Sequence, residues 1–304
     1  MTQMGFAGRV AIVSGAGGGL GRAHALELAR RGAKVVVNDL GGSLDGAGSS
    51  DTAARRVVEE IEALGGHAVA NHDSVATAAG GQAIVDAALE AFGRVDILVN
   101  NAGILRDKAF HKMDAQTFDA VIDVHLKGAF YVTQPAFALM RAQGYGRIVN
   151  TTSASGLYGN FGQANYGAAK AGLLGLTRVL AIEGEGHGIK VNAIAPIAAT
   201  RMTVDVLGNL SETVLPESVS PVVAYLAHED CAVNGHVYSV AGGRVSRIFV
   251  AETIGAVLAD LTPEGIRDEL ARIEDADGYL VPESLSEATS IIAVAVGAEV
   301  TGGL

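Results

Sequence analysis

Short runs of β-branched residues alternate along the chain with longer stretches, rich in alanine and leucine, whose apolar positions recur at helical spacing. This alternation is typical of parallel βαβ units. The short runs are continuously hydrophobic, which indicates strands covered on both faces. The predicted strands are residues 9–14, 34–39, 67–71, 96–100, 147–152, 190–195 and 236–241.

No internal repeat or linker divides this series, so residues 1–250 are predicted to form one α/β domain built on a doubly wound parallel sheet. The segment 41–50, GGSLDGAGSS, is long for a strand-to-helix connection and is expected to be a surface excursion. Residues 251–304 differ from the preceding chain in composition and pattern, because they are acidic and helical in pattern. They are predicted to be a C-terminal extension.

Composition narrows the class of protein. The chain has 304 residues, 49% of them hydrophobic, which allows a sizeable core, and its net charge of −11 argues against general binding of nucleic acid or anionic membranes. Cys231 is the only cysteine, so an internal disulfide is impossible and no metal site is expected. The chain shows neither a signal-peptide pattern nor a run near the ~20 apolar residues of a membrane span. We therefore expect a soluble, unprocessed, cytoplasmic protein.

A glycine-rich turn, SGAGGGLG at 14–21, joins the first predicted strand to the first helix. Glycines permit a tight turn and let a pyrophosphate approach the amides at the helix N-terminus, as in Rossmann-type folds. Asp39 closes the second strand, where a carboxylate would bind both hydroxyls of an adenosine ribose and repel a 2′-phosphate. This favours NAD over NADP, although an ordinary glycine turn followed by an aspartate is the alternative. The candidate cofactor-binding residues are Gly15, Gly19, Leu20, Gly21 and Asp39.

Two more clusters fall at predicted strand ends on the same edge of the sheet, where parallel sheets bind ligands. Asp73 and Ser74 follow the third strand, and Asp73 is placed to accept the adenine amino group or simply to form a turn. Asn101, Ala102 and Gly103 follow the fourth strand. They offer hydrogen bonds close to a flat ligand, and turn chemistry alone would also select them.

Tyr166 and Lys170 stand four residues apart in a stretch of glycine and alanine, so on a helix they share one face, and Ser153 lies thirteen residues before the tyrosine. A tyrosine with a pKa of ~10 is only about 0.1% phenolate at neutral pH, too little for a general base. A nearby ammonium and an oxidised nicotinamide would lower that pKa. Taken alone, such a pair is usually exposed; combined with the glycine-rich turn and Asp39, it indicates a catalytic site.

These motifs together resemble the short-chain dehydrogenase/reductase family over nearly all of residues 6–250. SGAGGGLG stands where the family has its TGxxxGxG turn, and NNAG, Ser153 and YGAAK follow in the family's order and spacing. The resemblance implies Tyr166 as general base, Lys170 as the residue that holds the nicotinamide ribose, and Ser153 as a hydrogen-bonding partner of the substrate oxygen. It also implies that Pro196 and Thr200 hold the nicotinamide carboxamide.

One position departs from the family pattern. The fourth helix usually carries an asparagine that holds a water of the proton relay, whereas VIDVHLKGAF places His125 there. An imidazole can also hold a water, so His125 is a candidate catalytic residue. The alternative is a histidine that packs against the neighbouring loop without a chemical role.

A closer resemblance concerns the substrate. VVVNDLGG, NNAGILRDKAF and SASGLYGNFGQANYGAAKAGLLGL look like the (3R)-hydroxyacyl-CoA dehydrogenases, a subgroup that includes a unit of peroxisomal multifunctional enzymes type 2 and bacterial hydroxyacyl-CoA and 17β-hydroxysteroid dehydrogenases. The resemblance implies an acyl-CoA thioester or a steroid as substrate and a homodimer or homotetramer. It also implies that residues 251–304 shape the site or the oligomer. A basic cluster of Arg106, Lys108 and Lys112 is either a contact for CoA phosphates or a solvated turn.

The function expected from these residues and resemblances is NAD-dependent oxidation of a secondary alcohol, the 3-hydroxyl of a (3R)-hydroxyacyl-CoA. A 17β-hydroxysteroid dehydrogenase is one alternative. A 3-ketoacyl carrier-protein reductase using NADPH is another, disfavoured by Asp39. A non-catalytic NAD-binding module would keep the glycine-rich turn and not need Ser153, Tyr166 and Lys170 together.

Overall fold

The computed structural model describes residues 4–203, 207–259 and 261–298. The chain divides into two compact units, Met1–Arg247 and Ile248–Leu304, and the division falls three residues before the boundary expected from the sequence. Each unit is described by itself below. No helix in the described ranges is long and apolar enough to cross a membrane.

An eight-stranded sheet with the order β3-β2-β1-β4-β5-β6-β7-β8 forms the centre of the first unit. Neighbours from β3 through β7 pair in parallel, which confirms the predicted doubly wound α/β fold. The strands are Val10–Ser14 (β1), Lys34–Asn38 (β2), His67–Asn71 (β3), Ile97–Asn100 (β4), Gly146–Thr151 (β5), Ile189–Pro196 (β6), Val237–Ala241 (β7) and Arg244–Ile248 (β8).

Seven of these strands lie within one residue of their predicted bounds, and β8 was not predicted. Its sequence, RVSRI, is polar and mostly exposed at the edge of the sheet, so it lacks the continuous hydrophobicity that reveals the other strands.

Helices cover both faces of the sheet. Val13 of β1 packs on one face with Leu28 of the first helix and Ile61 of the second, whereas Ile12 packs on the other face with Ile84 of the third. This alternation follows from the period of two along a strand. Within the described part of this unit, the α-helices include Gly19–Arg30 (α1), Thr52–Ala63 (α2), Ala78–Phe92 (α3), Ala115–Ile122 (α4), Gly128–Gln143 (α5), Ala154–Tyr158 (α6), Ala164–Glu185 (α7) and Ser220–Ala227 (α8).

A π-helical segment, Asp123–Lys127, joins α4 directly to α5. Such segments are rare in globular proteins and occur often at functional sites. This one carries His125, a candidate catalytic residue, which is buried.

Within residues 248–259 and 261–298, the second unit contains three helices, Pro263–Asp268 (α9), Leu270–Ile273 (α10) and Leu285–Ala295 (α11). A two-residue antiparallel bridge joins Glu252 to Leu280, and the rings of Phe249 and Tyr279 stack with centroids 5.9 Å apart. This segment is therefore only partly helical, because its first part is extended and pairs with the turn before α11. The predicted role of residues 251–304 at the site or in an oligomer stays a prediction.

Candidate active site

A cleft of about 840 Å³ opens where the parallel strands end. The cleft is lined by every candidate cofactor-binding and catalytic residue except Gly21. Those residues are Gly15, Gly19, Leu20, Asp39, Asp73, Ser74, Asn101, Ala102, Gly103, His125, Ser153, Tyr166, Lys170, Pro196 and Thr200. They meet because the register of the sheet brings the carboxyl ends of its strands to one edge.

Close backbone contacts shape the glycine-rich turn between β1 and α1. Gly15 has a φ of 64°, and a Cβ there would lie 2.7 Å from the Cα of Ala102. A Cβ on Gly21 would lie 2.2 Å from the Gly15 carbonyl oxygen, so Gly21 lets α1 pack onto the turn instead of lining the cleft. Gly18 caps α1 and has open space where a side chain would lie. The first amides of this helix are therefore accessible to an anion.

Both carboxylate oxygens of Asp39 are fixed by backbone amides. The Gly17 N–H donates to Oδ2 at 2.7 Å, and the Gly41 N–H donates to Oδ1 at 2.7 Å. A Cβ on Gly17 would lie 2.8 Å from the carboxyl carbon, so the turn and the acid fit together only with glycine at that position. The carboxylate keeps further lone pairs for hydroxyl groups. Together with the open N-terminus of α1, it fits the ribose and pyrophosphate of a dinucleotide.

Asp73 and Ser74 line the cleft and also form a turn. The Asn71 side-chain amide donates to Asp73 Oδ2 at 2.8 Å, and Ser74 Oγ accepts from the Ala76 N–H at 3.2 Å. One oxygen of the Asp73 carboxylate is thus already occupied within the turn. The two readings of Asp73 are compatible, because its other oxygen makes no hydrogen bond within the described residues and the side chain lines the cleft.

The amides of NNAG hold the strand ends together. Asn101 Nδ2 donates to the carbonyls of Ser14 and Gly15 at 3.0 and 3.1 Å. Asn100 Nδ2 donates to Thr133 Oγ1 and Asn150 Oδ1 at 2.8 and 2.9 Å. These donors are used in fixing β1, β4 and β5, so the contribution of this motif to the cleft is a rigid backbone more than free amide groups.

The three central candidates converge at the base of the cleft. Ser153 is the N-cap of α6 and hydrogen-bonds Tyr166, which lies on α7. Lys170, one turn further along α7, lies with Nζ 5.5 Å from the centroid of the Tyr166 ring and donates to the Thr151 carbonyl at 2.5 Å. The helical spacing and the cap thus place a hydroxyl, a phenol and an amine side by side.

Burial dominates the ionisation of this group. It raises the pKa of Tyr166, while the hydrogen bond with Ser153 acts in the opposite direction and the charge of Asp107 raises it further. Burial also lowers the pKa of Lys170 to about 7. The lysine is therefore partly neutral near neutral pH and attracts a phenolate less than the sequence led us to expect. In a low-dielectric site both groups favour their neutral forms.

His125 is buried beside Tyr166, and their rings meet edge-on with centroids 5.1 Å apart. His125 Nε2 lies 2.8 Å from the carbonyl oxygen and 3.0 Å from the amide nitrogen of Ile104, so either tautomer has a partner. Burial, followed by the charge of Lys170, holds the pKa of His125 well below its ordinary value, and the imidazole is neutral.

A second cavity of about 10 Å³ lies behind the catalytic residues and is lined in part by His125, Asn100 and Lys170. Its volume is about that of one water molecule. His125 Nδ1 and Asn100 Oδ1 are buried and make no hydrogen bond within the described residues. Buried polar atoms are rarely left unpaired in proteins, so these two atoms fit a single bound water.

Sequence reasoning missed residues that hold this arrangement. Asn165 is completely buried immediately before Tyr166, and its Oδ1 accepts from the Tyr166 N–H at 2.8 Å. Thr203 Oγ1 accepts from the Thr200 N–H at 2.9 Å. The only signal for Asn165 was an amide next to the tyrosine. The basic cluster divides: Arg106 lines the cleft, whereas Lys108 pairs with Asp114.

Comparison with known proteins agrees with this geometry. A sequence profile for short chain dehydrogenase matches residues 9–209. Peroxisomal multifunctional enzyme A of Dictyostelium discoideum is 50% identical over 299 residues, which cover 98% of this chain and 67% of that enzyme. Hydroxyacyl-CoA dehydrogenase ChsB1 of Mycobacterium tuberculosis is 40% identical over 304 residues, which cover 94% of this chain and 93% of that enzyme.

Among solved structures, full-length peroxisomal multifunctional enzyme type 2 from Drosophila melanogaster superimposes with a TM-score of 0.82 at 39% identity. The match covers 97% of this chain and 50% of the fly chain, so this chain spans about half of that protein. Fold, cleft and sequence lead to one conclusion: the chain belongs to the short-chain dehydrogenase family.

Proposed function

We propose that this protein is an NAD-dependent dehydrogenase that oxidises the 3-hydroxyl of a (3R)-hydroxyacyl-CoA. The observation that carries the proposal is the convergence of Ser153, Tyr166 and Lys170 in the same cleft as Asp39. The substrate class is supported by the 40% identity to a hydroxyacyl-CoA dehydrogenase over 94% of this chain.

Residues of this chain bind the substrate oxygen and accept the proton of the substrate hydroxyl. Ser153 donates a hydrogen bond to the substrate oxygen and fixes it next to the phenol of Tyr166. Tyr166 accepts the hydroxyl proton in its phenolate form while the carbonyl forms, and the positive charge of a bound oxidised nicotinamide would favour that form against the effect of burial. Oxidised NAD, which Asp39 and the glycine-rich turn would hold, would supply the acceptor for the hydride of the carbinol carbon. Each turnover therefore releases one proton from the substrate hydroxyl, and that proton must leave a buried site.

A proton path runs behind Tyr166. Lys170 is among the residues that line the small cavity, as are His125 and Asn100, and a water in that cavity would receive the proton from the lysine. His125 is neutral, so it holds this water through Nδ1 without adding a positive charge next to Lys170. His125 is thereby proposed as a member of the relay.

NAD is the proposed cofactor because of Asp39. Two backbone amides hold its carboxylate at the end of β2, so the negative charge cannot swing away from a 2′-phosphate. The two hydroxyls of an adenosine ribose at the same place would donate hydrogen bonds to that carboxylate.

An apolar surface next to the cleft supports a lipid substrate. Asn160 lines the cleft, and the neighbouring Phe161 is 90% exposed. This exposed ring is available for contact with an apolar part of a substrate. An acyl chain or a steroid would both fit this chemistry. The cytoplasmic location and the homodimer or homotetramer are further expectations from the sequence.

The test is an initial-rate assay of the purified chain with (3R)-3-hydroxybutanoyl-CoA and longer homologues, followed as nicotinamide absorbance, with NAD and NADP in parallel. We expect turnover with NAD and the 3R isomer, and little with the 3S isomer. A steroid 17β-alcohol and a 3-ketoacyl carrier protein with NADPH serve as competing substrates, and preference for either would replace the proposal. NAD binding without turnover of any alcohol would indicate a non-catalytic module.

A further inference from the structure

The connection between β2 and α2 is a closed loop that starts at Asp39. We call residues 40–50 the strap. The Ser50 N–H donates to the Leu40 carbonyl at 2.9 Å, which joins the two ends of the strap. Gly41 has a φ of 76°, and a Cβ there would lie 1.9 Å from the Ser50 carbonyl oxygen. We call the place where Leu40 and Gly41 meet Ser50 the neck of the strap. The backbones are so close there that position 41 requires glycine.

Residues 43–47 form the tip of the strap, and hydrogen bonds join them to one another. The Ser43 N–H donates to the Ala47 carbonyl at 2.9 Å, and Ser43 Oγ donates to Asp45 Oδ1 at 2.5 Å. The Ala47 N–H also approaches the same carboxylate oxygen, at 3.2 Å. These hydrogen bonds fold the tip into a compact turn.

The tip contacts the loop after β4. The Leu105 N–H donates to the Leu44 carbonyl at 3.0 Å, and Arg106 Nε donates to the Asp45 carbonyl at 2.7 Å. A Cβ on Gly46 would lie 3.2 Å from the side chain of Ile104, so the two backbones are close. The strap thus joins the end of β2 to the opposite wall of the cleft.

The same loop is bound on its other side to the residues around Tyr166. Asn165 Nδ2 donates to the Arg106 carbonyl at 2.9 Å, and Gln163 Nε2 donates to Asp107 Oδ2 at 2.7 Å. The Lys108 N–H donates to the Gly162 carbonyl at 2.8 Å. Arg106 therefore carries a contact on each side: its guanidinium reaches the strap and its carbonyl reaches Asn165.

We propose that Arg106 is a positioning residue that couples the adenosine end of the cleft to Tyr166. The connection runs from the Asp39 carboxylate through the Gly41 amide and the strap to Arg106, then through Asn165 to the Tyr166 amide. It rests on the proposed function only in placing an adenosine ribose at Asp39. A ligand bound there restrains the strap further through the Gly41 amide, and the restrained strap in turn restrains the loop that holds the start of α7.

ADP tests this coupling, because it occupies the adenosine and pyrophosphate positions and lacks both the second ribose and the nicotinamide. Hydrogen exchange is measured with and without ADP for the wild type, Arg106→Ala and Arg55→Ala. Arg55 is the matched control, an exposed arginine near the strap that pairs with Asp51. We expect ADP to slow exchange over 160–167 in the wild type and in Arg55→Ala, and to leave it unchanged in Arg106→Ala.

Calorimetry measures the coupling from the other side, as the effect of the Arg106 contacts on the affinity for ADP. Since coupling acts equally in both directions, Arg106→Ala should raise the Kd for ADP roughly fivefold. Asp45→Ala, which loosens the tip, should give the same phenotype, and the double variant should be no worse than either single variant. Exchange over 15–21 reports ADP binding itself and should slow in every variant at saturating ADP.

Two outcomes overturn the coupling. One is slowed exchange over 160–167 in Arg106→Ala equal to that in the wild type. The other is protection of 15–21 in the wild type without any change at 160–167. A raised KM for acyl-CoA with an unchanged ADP response would also overturn it and assign Arg106 to the CoA phosphates. Failure of ADP to bind the wild type would instead remove the cofactor site on which the proposal rests.

Discussion

The imidazole of His125 lies edge-on to the phenol ring of Tyr166, at 5.1 Å between centroids. Gly103 leaves room for this contact, because a Cβ there would lie 2.3 Å from His125 Cε1. The glycine of NNAG and the histidine of the π-helical segment are therefore a matched pair. Two motifs that look independent in the sequence form one wall behind the proposed base.

Replacement of His125 tests the proton path. His125→Leu removes the atom that faces the small cavity, and we expect kcat to fall by about tenfold to a hundredfold with NAD affinity retained. His125→Asn, whose amide can also hold a water, should recover much of that loss. The measurement is kcat beside NAD affinity by calorimetry. Equal activity of the leucine variant and the wild type would show that the histidine only packs.

Removal of the proposed base should separate binding from chemistry. Tyr166→Phe deletes one oxygen and preserves the ring that packs against His125, so the fold and NAD binding should persist. Turnover should fall by at least about a thousandfold, because no other group accepts the hydroxyl proton. Calorimetry measures the binding of NAD, and nicotinamide absorbance in a single turnover measures the chemical step. Activity like that of the wild type would refute the assignment.

The hydrogen bond from Ser153 should appear in the pH dependence. It lowers the pKa of Tyr166, and the base acts only when deprotonated, so activity rises with pH through the apparent pKa of the Tyr166–Lys170 pair. Ser153→Ala removes that hydrogen bond and should move the rising limb of kcat/KM to higher pH, besides lowering the plateau. Full pH profiles of the two proteins decide this. A lower plateau with an unmoved limb would restrict Ser153 to substrate binding.

Sequence and structure agree best where one local rule decides the outcome. Continuous hydrophobic runs gave seven strands, and spacing placed Tyr166 and Lys170 on one helix face. The ionisation of the pair was less predictable, because the spacing predicts proximity and burial depends on the whole fold. The roles of Asn101 and Gly21 in backbone packing also depend on contacts between residues distant in the sequence, because Asn101 donates to the carbonyls of Ser14 and Gly15 and a Cβ on Gly21 would lie 2.6 Å from Asn101 Nδ2.

Cofactor choice should depend on Asp39. Asp39→Ser removes the charge that opposes a 2′-phosphate, and the ratio of kcat/KM for NAD to that for NADP should fall by about tenfold or more. Some of the activity with NAD should be lost as well, because the carboxylate accepts the Gly17 and Gly41 amides. The ratio is read from initial rates with both cofactors. An unchanged ratio would place the discrimination elsewhere in the cleft.

Lys170 should make stability depend on pH in the alkaline range. Burial lowers its folded pKa to about 7, whereas an unfolded lysine titrates near ~10.4. Between these values the unfolded chain binds more protons, so this residue makes the free energy of unfolding rise as pH rises. Below pH ~7 both states are protonated, and the buried charge costs the folded state on the order of 5 kcal/mol.

Lys170→Met should therefore abolish turnover and flatten this part of the pH dependence. The variant loses the hydrogen bond with the Thr151 carbonyl, which opposes any gain in stability at neutral pH. The informative quantity is thus the slope and not the absolute value. Urea unfolding of both proteins at pH 7, 8 and 9 gives the difference in free energy of unfolding. We expect the free energy of unfolding of the wild type to increase relative to that of the variant at each step to higher pH. Parallel curves would mean that Lys170 stays protonated in the folded protein. That result would remove Lys170 from the proton path.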